Sequence, residues 1–121
     1  NEQYQKAWIN ILFGKYDRAR ENLKRLNSIQ GEIKDPTALY GFYGLSGMAD
    51  LMEGNYNKAI DNFLKGNENN IYFNYFKGLA LKAAGKEEQA SNEFIKIANT
   101  NFSSWAIAIV RGLASKQVGK V

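Results

Sequence analysis

The chain has 121 residues, 45% of them hydrophobic and 23% charged, with a formal net charge of +4 at pH 7. That is one domain's worth of polypeptide, with enough apolar material for a buried core. It contains neither cysteine nor histidine, which excludes disulfide frameworks, thiolate nucleophiles and the usual zinc sites within these residues.

A single proline and few β-branched residues suit an all-helical chain. The first helix is expected over residues 2–13, where Tyr4, Trp8, Ile11 and Leu12 recur at helical period before a stop at Gly14. The second runs from about Asp17 to Ile29 and ends at Gly31. Asp35-Pro36 reads as a helix start, an N-cap side chain followed by a proline preset for the first helical position. The third helix is therefore expected over 36–53, carrying Gly41, Gly44 and Gly47 at intervals of three. Glycines inside a helix cost about 1 kcal/mol each relative to alanine. A face that must accept another backbone, a bulky side chain or a bound segment justifies them.

The fourth helix spans 56–65, with a stop at Gly66 and a polar loop at Asn67–Asn70. The fifth, over 70–84, opens with Ile71-Tyr-Phe-Asn-Tyr-Phe76. Five large side chains in six positions cannot share one face, so some must line an inner surface. The sixth runs from Lys86 or Glu87 to Ala98. After the connection Asn99–Phe102, Ser103 or Ser104 caps a seventh that ends near Val118. It has a mixed face, with Arg111, Lys116 and Gln117 beside Trp105, Ile109 and Leu113. The longest apolar run, Trp105–Val110, is far too short to span a bilayer.

One spacing recurs through these helices. A small residue, a glycine seven later and an alanine five beyond appear as Ala7, Gly14, Ala19, as Gly47, Gly54, Ala59 and as Gly78, Gly85, Ala90. A large apolar residue follows each alanine by four, at Leu23, Phe63 and Phe94. The pattern begins again at Gly112 and Gly119. Each glycine ends a helix by adopting the left-handed conformation. Small residues facing each other let antiparallel helices approach, and the large residue fills the widening gap. Successive copies start 40, 31 and 34 residues apart (7 to 47, 47 to 78, 78 to 112), the mark of a helical solenoid. The core should hold Ala7, Ala19, Leu23, Gly47, Ala59, Phe63, Gly78, Ala90 and Phe94.

This pattern resembles the tetratricopeptide repeat family. The family's small-x6-Gly-x-Tyr-x-x-Ala-x-x-x-Phe/Leu core stands as Ala7…Gly14-Lys-Tyr16-Asp-Arg-Ala19…Leu23 and again as Gly47…Gly54-Asn-Tyr56-Asn-Lys-Ala59…Phe63. The third copy departs from it with Glu87 in place of the aromatic. The resemblance covers about three and a half repeats, nearly the whole chain: 1–31, 36–66, 70–99 and a final helix at 104–118. It implies a single all-α domain of seven helices, antiparallel pairs stacked into a right-handed superhelix, and a binding scaffold. The family lines its inner groove with the first helix of each pair. Carried across, that points to Tyr4, Trp8, Ile11 and Leu12, then Gly44, Met48, Leu51 and Met52. In later copies it points to Tyr75, Leu79, Lys82 and Ala83, then Ala108, Leu113 and Lys116. Some relatives clamp a partner's terminal carboxylate with Lys, Asn and Arg. This chain has Tyr4, Trp8, Leu45, Tyr72 and Phe76 at those places, so that clamp is missing.

Little supports an enzyme. The carboxylate pairs Asp17/Glu21 and Glu87/Glu88 sit at helix starts, where the helix dipole favours them. No serine has a histidine to activate it, and no phosphate-cradling loop occurs. Asp50 is the odd charge, three residues past Gly47 where the family places an aromatic. It is expected on the inner surface or bonded to a nearby Tyr or Asn. Lysines are scattered over outer helix faces, often beside Glu or Asn, and read as solvated surface rather than a nucleic-acid patch. The expected function is non-catalytic binding of a peptide or helical segment of another protein in an apolar groove, without cofactor, metal or nucleic acid. The alternative is a spacer or homo-oligomerisation module whose groove the parent chain fills. Beginning at Asn1, the sequence reads as a trimmed or mature fragment; Gly119-Lys-Val121 reads as the start of a further turn. Cytoplasmic and extracytoplasmic settings both fit the absence of cysteine.

Overall fold

The computed structural model describes residues 1–100 and 105–119, with the side chains of 105–107 left aside. Its regular structure is entirely helical: α1 (Glu2–Leu12), α2 (Tyr16–Gln30), α3 (Tyr40–Met52), α4 (Tyr56–Lys65), α5 (Ile71–Ala83), α6 (Glu87–Ala98) and α7 (Trp105–Gln117). The residues Ser103 and Ser104, expected to cap α7, lie outside the described residues. Two compact units form, Asn1–Asn67 and Glu68–Val121. In the first, α1 pairs with α2 and α3 with α4, while α3 packs on both α1 and α2. In the second, α5 pairs with α6 and α7 packs on both.

The three pair turns are built alike. Gly14, Gly54 and Gly85 have φ of 74°, 84° and 82°, the left-handed region that a Cβ disfavours. Their amides donate to Ile11, Leu51 and Lys82 carbonyls at 3.1 Å, and the next amides reach back to Asn10, Asp50 and Leu81 at 2.8–2.9 Å. These bonds satisfy carbonyls that the helix end leaves orphaned. The following residues, Lys15, Asn55 and Lys86, enter the second helix with nearly identical backbone angles and no side-chain cap. Their carbonyls accept from Ala19, Ala59 and Ala90, the recurrent alanines. By contrast α1 and α5 are capped by the side chains of Asn1 and Asn70.

Packing follows the expected register. Ala7, Ala19, Leu23, Ala59, Phe63, Ala90 and Phe94 are buried, with Gly47 and Gly78. A Cβ placed on Gly47 would stand 2.9 Å from the Phe63 ring, and one on Gly78 would stand 2.5 Å from the Phe94 ring. Both are closer than carbon atoms approach, so the glycine is what lets the ring lie against the backbone.

The third helix departs from the expectation. Regular structure begins at Tyr40 rather than at Pro36. The Asp35 carboxylate instead accepts from the backbone N–H and the hydroxyl of Thr37, both at 2.9 Å. The chain then advances through short turns, with Ala38 N–H to Asp35 carbonyl at 3.0 Å and Tyr40 N–H to Thr37 carbonyl at 3.1 Å. Bonds from Thr37's backbone and then its side chain hold the Asp35 carboxyl below its usual pKa. Gly31 and Gly66 end their helices without a left-handed φ.

Asp50 is fully buried, at 0% accessibility, and of the two expected placements the bond to a nearby Asn is the one formed. One carboxylate oxygen accepts from Arg20 of α2 at 2.7 Å, the other from Asn62 of α4 at 2.6 Å. Arg20 also donates to Glu53, through Nε at 3.2 Å and a terminal nitrogen at 2.9 Å. Burial alone would lower the Arg20 pKa. The hydrogen bonds and charges of Asp50 and Glu53 outweigh it and raise the value. A second polar chain links α1 and α2, from Asn10 to the buried Asn22 at 2.8 Å and on to Gln3 at 3.0 Å. In the second unit Lys77 of α5 pairs with the nearly buried Glu93 of α6 at 3.2 Å.

Two stability predictions follow from this packing. Ala59→Leu and Ala90→Leu should each overpack a helix pair and cost about 1–3 kcal/mol in chemical denaturation. Arg20→Ala leaves Asp50 buried with only Asn62 beside it and should cost about 3 kcal/mol or more. Glu53→Ala, at the solvent-facing end of the same cluster, should cost under about 1 kcal/mol.

Candidate partner-binding surface

The residues expected to line a groove sit on α1, α3, α5 and α7, and each unit holds its own share. In the first unit Tyr4 is half-buried, its ring against α3: a Cβ on Gly41 would stand 2.8 Å from it. The glycine row of α3 is thus filled from within. Tyr4 covers Gly41, Phe63 covers Gly47, and Gly66 approaches the Gly44 backbone, its ideal Cβ position 3.5 Å from that nitrogen. Trp8 and Leu51 are half-buried.

Met48 corrects the expectation. It is 0% accessible and belongs to the core, as does Ile11 of the same register. The reason is the place of α3, which packs against α1, α2 and α4. Every residue from Gly44 to Asp50 is buried; Tyr40–Tyr43 at the start of the helix and Leu51 near its end are half-buried, and only its last residue is exposed. There Met52 is 42% exposed. At the C-terminal end of α1, Leu12 is 64% and Phe13 75% exposed, beside Ile9 one turn earlier. Leu12 and Met52 are named by the register; Ile9 and Phe13, equally open to solvent, are not.

In the second unit Tyr75 and Leu79 are half-buried, while Lys82 and Lys116 are exposed. The Tyr75 ring packs at 5.7 Å from Phe94 and from Phe76. Lys82 donates to the Gln117 side-chain oxygen at 3.0 Å, and the Gln117 amide reaches the Tyr75 hydroxyl at 3.5 Å. The structure therefore brings Tyr75 and Lys82 together through Gln117 of α7, a residue that the register did not include. Ile109 and Leu113 add exposed apolar surface on α7. This unit thus exposes Ile109 and Leu113 together with Lys82 and Lys116, on α5 and α7. A separate cleft of about 330 Å³ between α5 and α6 is lined by polar side chains such as Asn74, Lys77, Glu93 and Lys96. It includes none of the expected groove residues.

Among the described residues no group of three or more acidic side chains is placed to hold a metal ion. No helix among them is long and apolar enough to cross a membrane. Comparison with models of known protein families, with curated proteins and with solved structures finds no match.

The two methionines give a direct check on this surface. Met48→Ala should cost about 2–5 kcal/mol, as large-to-small core substitutions do. Met52→Ala should change stability by no more than about 0.5 kcal/mol, as solvent-facing substitutions do. Urea denaturation of both variants measures the difference.

Proposed function

We propose that the chain is a non-catalytic protein-interaction scaffold of tetratricopeptide type, a single α-solenoid domain whose helix pairs follow a right-handed superhelical stack. Its binding surface is the face formed by the first helices of successive pairs. It takes a peptide or helical segment of another protein with apolar side chains and no need of a cofactor. The observation that carries this reading is the pair turn, repeated with one backbone geometry at Gly14, Gly54 and Gly85, with Gly47 and Gly78 each covered by a ring from the second helix. Support for the surface itself comes from Leu12, Met52 and Leu113, inner-register side chains that stay open to solvent.

A displayed peptide library selected on the protein tests the proposal. Selected peptides should be apolar. Trp8→Ala or Met52→Ala should weaken them about tenfold or more, since aromatic anchors carry interface energy and methionine adapts to varied partners. Lys24→Ala and Lys58→Ala should change binding little. The reading fails if the lysine variants abolish binding and the apolar ones do not. Failure to select any peptide would favour the alternative, a spacer or oligomerisation module. Leu12, the last residue of α1, and Phe13, its C-cap, are highly exposed large apolar side chains that fit permanent cover by the parent protein or by a second copy. Light scattering then shows concentration-dependent association where a second copy provides the cover.

A further inference from the structure

The first unit holds a pocket of about 280 Å³ between α2 and α3. Arg20, Leu23, Lys24 and Asn27 share one face of α2 and form one wall. Phe42 and Ser46, one turn apart on α3, form the other. Leu23 is buried and Phe42 half-buried, so the pocket has an apolar side as well as a polar one. None of the residues expected to line an inner groove takes part.

Ser46 is the anomaly. It is 7% exposed, and the other residues from Gly44 to Ala49 carry no polar side chain. A serine within a helix can give its hydroxyl to the carbonyl four residues back, as Ser28 does to Lys24 at 3.2 Å. Ser46 makes no such bond, and no other described group bonds to its hydroxyl. Every fully buried side-chain nitrogen or oxygen among the described residues has a partner. The Ser46 oxygen therefore keeps its small share of exposure, and the pocket it lines is where that exposure lies.

The cations on α2 complete the picture. Arg20 commits Nε and one terminal nitrogen to Asp50 and Glu53, which balance its charge. Its other terminal nitrogen makes no hydrogen bond among the described residues. Lys24, one turn on, has no ion pair among them, while its neighbours Glu21 and Arg25 pair with each other at 3.6 Å. The pocket thus presents donors from Arg20, Lys24 and Ser46, with Lys24 as the cation left to a ligand. An ionised carboxylate only accepts hydrogen bonds and carries one negative charge, so it matches this set. A phosphate, with nearly two charges, would face Asp50 and Glu53 with a single cation to offset them.

We propose that this pocket binds a small free carboxylic acid carrying an apolar ring. Lys24 and the Ser46 hydroxyl hold the carboxylate, and the ring lies against Phe42 and Leu23. A cavity of about 150 Å³ already takes a benzene ring, so about 280 Å³ leaves room for one ring and a short chain. The proposal does not rest on the peptide-binding surface described above.

Hydrocinnamate, a phenyl ring on a short chain ending in a carboxylate, is the probe. Titrated into the protein, it should shift amide resonances of residues 20–27 and 42–46. A Kd of about 1 mM or tighter is expected for a ligand of so few atoms. Hydrocinnamyl alcohol and phenyl phosphate should each bind about tenfold more weakly. Ser46→Ala and Lys24→Gln should each weaken hydrocinnamate about tenfold. Ser46→Ala should at the same time hold or raise the melting temperature, since alanine is the better helix former and no bond within the fold is lost. The proposal is overturned if hydrocinnamate shifts nothing there, or if Ser46→Ala or Lys24→Gln binds it as tightly as the original chain. A lower melting temperature for Ser46→Ala overturns it too, because the hydroxyl would then serve the fold. Equal binding of the alcohol or the phosphate, or tighter binding of an acetylated peptide ending in phenylalanine, overturns the ligand class.

Discussion

Contact between a ring and a bare helix backbone is the interaction on which the rest of this structure depends. Phe63 lies where a Cβ of Gly47 would be, and Phe94 where one of Gly78 would be. Such an approach brings two antiparallel helices closer than ordinary side chains allow, and interior packing makes the fit sensitive to a single methyl group. It also sets the register: a helix shifted by one residue would bring a side chain under the ring. The left-handed glycine at each turn delivers the second helix to that position by closing the first with two backbone hydrogen bonds.

Polar groups inside the units add a second layer of constraint. Asp50 is held from two neighbouring helices, by Arg20 of α2 and Asn62 of α4. A buried carboxylate without such partners would be strongly unfavourable, so the cluster penalises any packing of α2, α3 and α4 that separates them. Asn22 does the same for α1 and α2 on a smaller scale, through Asn10 and Gln3. In the second unit the Lys77–Glu93 pair joins α5 to α6, and Arg111 donates to the Ala98 carbonyl at the end of α6. That carbonyl lies at the negative end of the helix dipole, where a cation is favoured.

These constraints also decide what stays open to solvent. A helix wrapped by three others hides its middle on every side, which is why Met48 is core and Met52 is surface. Exposed apolar side chains stand at helix ends in the first unit, with Leu12 and Met52, and on α7 in the second, with Ile109 and Leu113. In the second unit Lys82 and Lys116 are exposed as well, and Lys82 donates to Gln117 of α7.

Much of the local architecture is decided by the amino-acid sequence itself. The spacing of small residue, glycine, alanine and large apolar residue states where helices pair, because each position answers a short-range steric need within one turn and two helices. The helix order, the turns at Gly14, Gly54 and Gly85, and the buried set from Ala7 to Phe94 were legible for that reason. Tertiary structure alone decided the rest. The sequence marks Asp50 as an odd charge that a nearby Tyr or Asn could satisfy, but not that Arg20, thirty residues away, closes over it. Met48 and Met52 look alike until α3 is surrounded. Asp35 caps a short turn before α3 instead of opening the helix, because Thr37 offers it two hydrogen bonds at once. Gln117 joins Tyr75 and Lys82 only once α7 lies on α5. Periodicity reports which residues share a face; burial and charge pairing are set by which other element comes to cover it.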